Sequence, residues 1–480
     1  MLSQWCLGPM RPAMLTALIV ATALFMENMD GTVISTSLPA IAHDLNQDPI
    51  VLKLALTSYM LTLAVFIPAS GWIADRFGAR TVFCSAIVVF TVGSILCGAS
   101  NSLDTLIAAR VFQGLGGAMM VPVGRLVLLR SVEKRDLVDA LAYLTVPALL
   151  GPVAGPPLGG FITTYFHWRW IFWVNVPIGA LGLMLSLRYI ENLREELVPR
   201  FDVKGFLLSG AGLLGLISGL SLIGRGMAPG WEVAAQIAAS LVLLALYVRH
   251  AGMNEDAILD LKLLSIPTFF AGVAGGLIFR IGIGAIPFLL PLLLQIGFGL
   301  TPFESGSMTF ATALGAMAMK FTASRALRRF GFRRTLLANA LISGLFIASY
   351  ALFTPTTPHW AIFAALLLGG FFRSLEFTAL NALSYADIDP PRMSRATSFA
   401  SVAQQMSGAI GVAVAAICIQ LIQLVYGDMT LQARDLSLSF VAVAALSTLS
   451  MFVFVRLKPD AGAALAAREP RTEPAPAGAE

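Results

Sequence analysis

Long apolar runs separated by short polar breaks recur along the chain from Met14 to Arg456. An α-helix rises 1.5 Å per residue, so about 20 apolar residues cross the ~30 Å hydrocarbon core of a bilayer. The pattern therefore predicts fourteen membrane-crossing helices, which we call spans 1 to 14. Their predicted limits are residues 14–36, 51–74, 81–100, 104–130, 138–163, 168–188, 203–223, 231–249, 266–296, 304–327, 335–353, 359–385, 397–426 and 436–456.

Composition agrees with a membrane protein. Of the 480 residues, 57% are hydrophobic and 12% are charged, where soluble domains carry about 25% charged residues. The first apolar run continues through Glu27 and Asp30, so it is too long and too polar for a signal peptide and is interpreted as span 1. The four cysteines lack the spacing of a metal site. These features exclude an ordinary soluble protein.

Basic residues are distributed unequally between the two sides of the predicted spans. The side that carries the N-terminus has 23 of the 32 Lys and Arg residues, and the other side has four. Cytoplasmic loops of membrane proteins carry this excess, so both termini are predicted to be cytoplasmic in a bacterial inner membrane. The net charge of +5 then reflects topology, and no nucleic-acid partner is needed to explain it.

A weak internal repeat divides the chain. The segment 75–80 after span 2 (DRFGAR) is echoed by segment 328–333 after span 10 (RRFGFR). We therefore predict an all-α fold with two related six-helix bundles, residues 1–190 and 265–458. Residues 191–264 would be a linker with inserted spans 7 and 8, and the Ala-, Pro- and Glu-rich residues 459–480 a disordered cytoplasmic tail.

Eight ionisable side chains are predicted to lie deep within spans. Exposure to lipid would cost at least ~2.5 kcal/mol for each one, so they must face protein or a water-filled cavity. Seven of the eight lie on spans 1, 4, 9 and 12, the first helices of four predicted three-helix repeats. The eight residues are Glu27, Asp30, Arg110, Arg125, Arg280, Lys320, Arg373 and Glu376.

These charges have two interpretations. Interhelical ion pairs could simply fix helix register, which fits Arg373 and Glu376 because they are one helical turn apart. Glu27 and Asp30 share one face of span 1, and two carboxylates in a partly dry cavity resist simultaneous ionisation. Such a pair suits proton exchange.

Several motifs resemble those of the major facilitator superfamily, and specifically its fourteen-span drug:proton antiporter family. Residues 71–80 (GWIADRFGAR) resemble the loop between spans 2 and 3, and 110–114 (RVFQG) the span 4 motif. Residues 155–160 (GPPLGG), preceded by Gly151, are similar to the antiporter motif of span 5. Residues 29–32 (MDGT) with 38–39 (LP), and 168–177 (WRWIFWVNVP), resemble the motifs of spans 1 and 6.

The resemblance, together with the placement of the predicted buried charges, implies roles for individual residues. Asp30, with Glu27 as its modulator and Arg110 as a proton relay, would couple transport to protons. A cytoplasmic gate would contain Gly71, Asp75, Arg76, Gly78 and Arg80, although the second half has Arg328 where Asp75 would recur. The antiporter motif is Gly151, Gly155, Pro156, Gly159 and Gly160, whose glycines also suit close packing of any two membrane helices. The substrate cavity would be lined by Gln113, Arg125, Arg280, Lys320, Arg373 and Glu376.

We expect a monomeric, proton-coupled exporter of small molecules without a cofactor. The surplus of predicted buried cations favours an anionic drug or metabolite, with broad multidrug export as a close alternative and a narrow organic-acid or chelate exporter also open. A non-transporting sensor is more remote, because no output domain is visible. An enzyme is not expected, because all four histidines, at positions 43, 167, 250 and 359, lie near predicted membrane ends.

Overall fold

The computed structural model describes residues 12–131, 137–192, 200–223, 229–254, 257–389, 392–427 and 430–462, and within these ranges it is helical without strands. Twelve helices in these ranges are long and apolar enough to cross a membrane. Predicted spans 5 and 10 correspond to the helices Leu137–Tyr165 and Pro302–Lys320, which are not among the twelve. A total of fourteen membrane spans thus remains a prediction. Residues 463–480 of the predicted tail lie outside the described ranges.

The first half of the chain forms long helices joined by short loops. The helices are α1 (Pro12–Asp44), α2 (Lys53–Phe77), α3 (Ala79–Ala99), α4 (Leu103–Ser131), α5 (Leu137–Tyr165), α6 (Trp170–Trp173) and α7 (Asn175–Tyr189). Two further helices, α8 (Val203–Leu222) and α9 (Gly230–Met253), correspond to the predicted inserted spans. Helices α6 and α7 together form one membrane-length segment.

The second half begins with an interrupted helix. Short helices α10 (Pro267–Phe270), α11 (Gly276–Gly284) and α12 (Ile286–Leu292) are continued by π-helical turns at Ala271–Gly275 and Leu293–Gly297. The remaining helices are α13 (Pro302–Lys320), α14 (Ala323–Phe330), α15 (Phe332–Ser349), α16 (His359–Ser384), α17 (Met393–Tyr426), α18 (Ala433–Thr448) and α19 (Met451–Phe454). Helix α15 is extended by a 3-10 turn at Tyr350–Leu352. π-Helical turns in membrane helices often mark functional regions.

Two glycines support the predicted internal repeat. Gly78 joins α2 to α3 with φ 91°, and Gly331 joins α14 to α15 with φ 74°. Side chains other than glycine rarely adopt positive φ, so each position requires glycine for the chain to turn directly into the next helix. The two halves therefore make the same backbone turn at corresponding places.

The helices pack as two groups. Helices α1 to α7 contact mainly one another, as do α10 to α19, while α8 and α9 pair and α8 rests on α2 and α17. The groups, which we call the N-terminal and C-terminal bundles, meet through α5 with α13, α2 with α17, and α1 with α12. Part of this contact lies at the end opposite the termini, where the Phe303 backbone N–H donates to Thr164 Oγ1 over 3.0 Å and Gln295 Nε2 donates to the Thr36 carbonyl over 2.7 Å.

Candidate functional site

A fully buried carboxylate lies at the centre of the N-terminal bundle. Asp30 of α1 is 0% exposed, and Arg110 Nη1 of α4 donates to its Oδ2 over 2.6 Å. Its Oδ1 accepts from Gln113 Nε2 and from Asn175 Nδ2, both over 2.9 Å. Ser94 of α3 accepts from the same two amides, over 2.7 and 3.1 Å. Helices α1, α3, α4 and α7 are thus connected by one polar network.

Arg110 has further partners besides Asp30. Its Nη1 donates to Gln113 Oε1 over 2.6 Å and its Nε to the Ala55 carbonyl over 3.1 Å. The guanidinium also lies 4.2 Å from the centre of the Tyr59 ring, a cation–π contact. A buried arginine is tolerated in a membrane protein when it has this many partners.

The network corrects one prediction and adds residues that sequence reasoning did not select. Gln113 was predicted to line the substrate cavity, but it is 0% exposed and bonded within the Asp30 network, because its amide reaches α1 and α3. Ser94, Tyr59 and Asn175 were not predicted as site residues. For Asn175 a signal existed, because it belongs to the span 6 motif at residues 168–177.

A cavity of about 160 Å³ adjoins this network and is lined by residues from both bundles. Glu27, 9% exposed, lies in its wall, and its Oε2 has no hydrogen-bond partner among the described residues. Arg110 and Tyr59 also face the cavity, so one guanidinium connects Asp30 with the cavity wall. The other lining residues are Asn28, Gly31, Thr32, Leu56, Met60, Leu63, Pro152 and Gln405, and none belongs to α8 or α9.

The glycines of the predicted antiporter motif lie against α1 on one side. A Cβ added at Gly151 would meet Asn28, one at Gly155 would meet Thr32, and one at Gly159 would meet the Val33 carbonyl. These contacts run along the same helix that carries Glu27 and Asp30. Close approach of α5 to α1 therefore depends on the missing side chains.

The same motif also touches the C-terminal bundle. A Cβ at Gly160 would meet Pro302 and Phe303, and a Cβ at Gly306 would meet the Pro156 carbonyl. Helix α13 begins here with a capping box, in which the Glu304 backbone N–H donates to Thr301 Oγ1 and the Thr301 backbone N–H to Glu304 Oε2. Helix α5 thus contacts α1 and α13 at once.

The residues of the predicted gate lie at the junction of α2 and α3. Gly71 and Arg76 are exposed, Asp75 and Arg80 are half-buried, and Gly78 is buried next to Asn192. A Cβ added at Gly71 would meet no atom within 4 Å. Close approach of the two bundles therefore does not explain this glycine in the present conformation.

The predicted pairing of Arg373 with Glu376 is wrong. Arg373 donates through Nε to the Gly369 carbonyl of its own helix over 3.2 Å, whereas Glu376 Oε2 accepts from Asn339 Nδ2 over 3.0 Å. The two side chains diverge, because one bonds back along α16 and the other bonds across to α15. Neither lines the cavity described above.

The other cations predicted to line the substrate cavity are not among the residues that line the cavity described above. Arg280 is 5% exposed, donates to Asn381 Oδ1 over 2.8 Å and lies 5.2 Å from the Phe377 ring centre. Arg125 and Lys320 are exposed side chains. Lys320 ends α13, where a turn separates it from α14, and its Nζ donates to Thr378 Oγ1 over 3.0 Å.

The fold and the charged network are those of a secondary transporter with two helical bundles around a central cavity. The family model described as the Major Facilitator Superfamily matches residues 20–286 and 272–479. The chain belongs to this superfamily. It is therefore a multi-pass transporter of the inner membrane and not an enzyme.

Two curated relatives are similar to the chain over most of its length. The chain is 38% identical over 447 residues to a putative multidrug resistance protein MdtD of Escherichia coli O6:H1, covering 92% of this chain and 94% of the relative. It is 40% identical over 403 residues to a protein of the same description from Serratia proteamaculans, covering 84% of each chain. The chain thus resembles the MdtD group within the drug:proton antiporters.

Solved structures share the fold at low sequence identity. The POT family transporter PepTSo has a TM-score of 0.69 and 15% identity, covering 93% of this chain and 98% of PepTSo. The human organic anion transporter MFSD10 (TETRAN) has a TM-score of 0.60 and 15% identity, covering 93% of this chain and all of MFSD10. At this identity the likeness establishes the fold alone.

Proposed function

We propose that this transporter is a proton-coupled antiporter that exports drug-like molecules or metabolites from the cytoplasm. The observation that carries the proposal is the buried Asp30–Arg110 pair, which adjoins a cavity whose wall contains a second acid, Glu27. Buried ionisable groups within membrane helices are costly and characteristically serve ion or substrate pathways. The multidrug resistance description of the relatives supports small-molecule export.

In the proposed cycle Asp30 carries the proton. Protonation would remove the negative charge that holds Arg110 and release its guanidinium towards the cavity, where Glu27 is the nearest lining carboxylate. Deprotonation would restore the pair. Because Asp30 is fully enclosed and Glu27 lines the cavity, the proton reaches Asp30 by way of the Glu27 and Arg110 side of the site.

The proposed protein is a monomer without a cofactor, with fourteen spans and both termini in the cytoplasm. Its two bundles are residues 1–190 and 265–458, and residues 191–264 form the insert between them. This topology is supported by the basic asymmetry and by the Gly78 and Gly331 turns. Contacts between the bundles at the end opposite the termini then correspond to closure on the periplasmic side. A C-terminal reporter active only in the periplasm would contradict this topology.

Two observations favour different substrate charges. Glu27 places a carboxylate in the cavity wall, which suits a cationic group or a hydrogen-bond donor. The exposed cations Arg125 and Lys320 instead suit an anion, as in the narrow organic-acid exporter considered from the sequence. We place the donor-bearing substrate first, because Glu27 lines the cavity and neither cation does.

The test compares Glu27→Gln with Lys320→Gln and Arg125→Gln in cells that lack their own exporters. Growth is measured on toxic compounds grouped as cations, neutral molecules and anions, with protein abundance checked by immunoblot. Glu27→Gln is expected to reduce resistance to cations and donors most, and the other two variants to leave it near wild type. Selective loss of anion export in Lys320→Gln and Arg125→Gln would favour the second candidate.

A further inference from the structure

The C-terminal bundle buries a row of polar side chains along α15 and α16 that the proposed cycle does not use. Each is at most 5% exposed. Each also has one side-chain atom without a hydrogen-bond partner among the described residues. These atoms are Asn339 Oδ1, Ser343 Oγ, Tyr350 Oη, Arg373 Nη2 and Glu376 Oε1. We call these five residues the polar row.

The contacts show which residues lie at the two ends of the polar row. At one end, Asn339 Nδ2 donates to Glu376 Oε2 over 3.0 Å and to the Phe372 carbonyl over 2.8 Å. At the other end, the Tyr350 hydroxyl lies beside Gly369, whose carbonyl accepts from Arg373 Nε. Glu376 and Gly369 are two turns apart on α16, so the row extends about 10 Å along the helix.

Polar atoms without a hydrogen-bond partner are costly inside a membrane protein. Each one costs several kcal/mol in an apolar environment. Ordered water usually satisfies such groups when two or more of them surround the same space. The row supplies acceptors on Asn339 and Glu376, a donor on Arg373 and hydroxyls on Ser343 and Tyr350, which is a suitable set for a chain of water molecules.

The charges around Glu376 differ from those around Asp30. Asp30 is held by a direct ion pair and two amide donors, whereas Glu376 has one amide donor and no ion pair within 4 Å among the described residues. Of the surrounding cations, Arg280 bonds Asn381, Arg373 bonds Gly369 and Lys320 bonds Thr378. Glu376 can therefore take up a proton without breaking an ion pair.

The two bundles also place their charges in opposite order. The N-terminal bundle has its acid on the first helix and its cation on the fourth, as Asp30 and Arg110. The C-terminal bundle has Arg280 on its first membrane-length segment and Glu376 on the fourth. A carboxyl group with polar neighbours thus exists in each bundle, but only the first is held by an ion pair.

We propose that Glu376 is a second proton-binding site, connected to the Tyr350 end of α15 by water molecules held in the polar row. The inference rests on the proposed proton coupling, and it adds a site in the other bundle. Arg280 is the cation whose charge acts on Glu376, whereas Arg373 acts on Tyr350 at the other end of the row and Lys320 lies beyond Thr378.

The proton site is tested by infrared difference spectroscopy of purified protein in nanodiscs, titrated over pH. The wild type is expected to show a protonated-carboxyl C=O band that disappears as pH rises, with one component lost in Glu376→Gln. The matched control Glu232→Gln removes an exposed acid at the start of α9 and should keep that component. An unchanged band in Glu376→Gln overturns the proposal.

Tyr350→Phe provides a second variant in case Glu376→Gln does not fold. It removes only the hydroxyl, so it should shift the Glu376 component by changing the water chain without abolishing it. Asp30→Asn separates this inference from the proposed cycle, since it should abolish coupled export and leave the Glu376 component in place. A Glu376 band insensitive to Tyr350→Phe counts against the water connection.

The water itself is tested by X-ray hydroxyl-radical footprinting, which modifies side chains next to ordered water. Tyr350 and Tyr247 are both buried, at 0% and 4% exposure, but Tyr247 Oη donates to the Leu259 carbonyl over 3.0 Å. Tyr350 is expected to be modified severalfold faster than Tyr247. Equal rates would show that the row is dry and would overturn the proposed connection.

Discussion

The Asp30–Arg110 pair gives the most direct test of the site, through replacement of Asp30 by Asn. The variant keeps the size of the side chain and an oxygen that can accept from Gln113 and Asn175. It removes the charge that neutralises a guanidinium only 1% exposed. Breaking a buried ion pair by removing one partner costs about 3–5 kcal/mol. We expect the lower end, about 3 kcal/mol, because Arg110 keeps other partners.

The structure shows which partners Arg110 keeps when Asp30 is replaced. Arg110 still donates to Gln113 Oε1 over 2.6 Å and to the Ala55 carbonyl over 3.1 Å, and it keeps the Tyr59 ring at 4.2 Å. Arg110→Gln should cost a similar amount, since it leaves Asp30 with two amide donors. The double variant removes both charges, so it should be about 3 kcal/mol more stable than the sum of the single effects predicts.

The assay is a double-mutant cycle in mixed micelles, in which the free energy of unfolding is obtained from titration with a denaturing detergent. Asp44 and Arg169 form a matched control pair, with Nη1 and Oδ2 2.8 Å apart and side chains 37% and 20% exposed. Such a partly exposed pair should give a coupling energy of at most about 1 kcal/mol. Additive effects at Asp30 and Arg110 would refute the energetic argument.

Transport measurements test whether Asp30 carries the proton. In proteoliposomes Asp30→Asn should abolish efflux driven by an imposed pH gradient, because the amide cannot bind and release a proton. Substrate binding can persist, since Asp30 does not line the cavity. If the variant still couples efflux to the gradient at the wild-type rate, the proton carrier lies elsewhere.

Three further substitutions test neighbouring parts of the molecule. Asn175→Ala removes one donor to Asp30 and should cost about 1–3 kcal/mol of stability in the same detergent titration, and the cost should be smaller in an Asp30→Asn background, where the acceptor is a neutral amide oxygen. Asp75→Asn should impair transport while membrane abundance measured by immunoblot stays near wild type; loss of the protein would indicate a folding role instead. Gly160→Leu places a side chain against Pro302 and should destabilise the closed end by about 1–3 kcal/mol, seen as faster cysteine labelling there.

Much of the fold could be predicted from hydrophobic periodicity, because crossing a bilayer requires long apolar helices whatever their partners. The glycine turns were also accessible, since Gly78 and Gly331 occupy repeated segments. The partners of buried charges could not be obtained in this way. Arg373 and Glu376 are one turn apart, yet each finds a better partner elsewhere, Gly369 along the helix and Asn339 across it.

The limits of one span were also mispredicted, because a helix ends early within it. Span 10 was predicted to run through residue 327, but α13 stops at Lys320 and a turn precedes α14. The apolar residues on both sides concealed this break. Sequence hydropathy measures the average composition of a window, and it does not detect a turn that exposes one side chain.

Helix α5 connects the proposed proton site with the other bundle. Gly151 and Gly155 place it directly against the turns of α1 that contain Asn28 and Thr32, beside Glu27 and Asp30. Gly160, at its far end, contacts Pro302 at the start of α13. A displacement of α1 on protonation therefore cannot occur without moving α5 or opening the contact with α13, since neither glycine contact leaves space for a side chain. The predicted antiporter motif thus lies where, in the proposed cycle, a change of charge at Asp30 would be converted into separation of the two bundles.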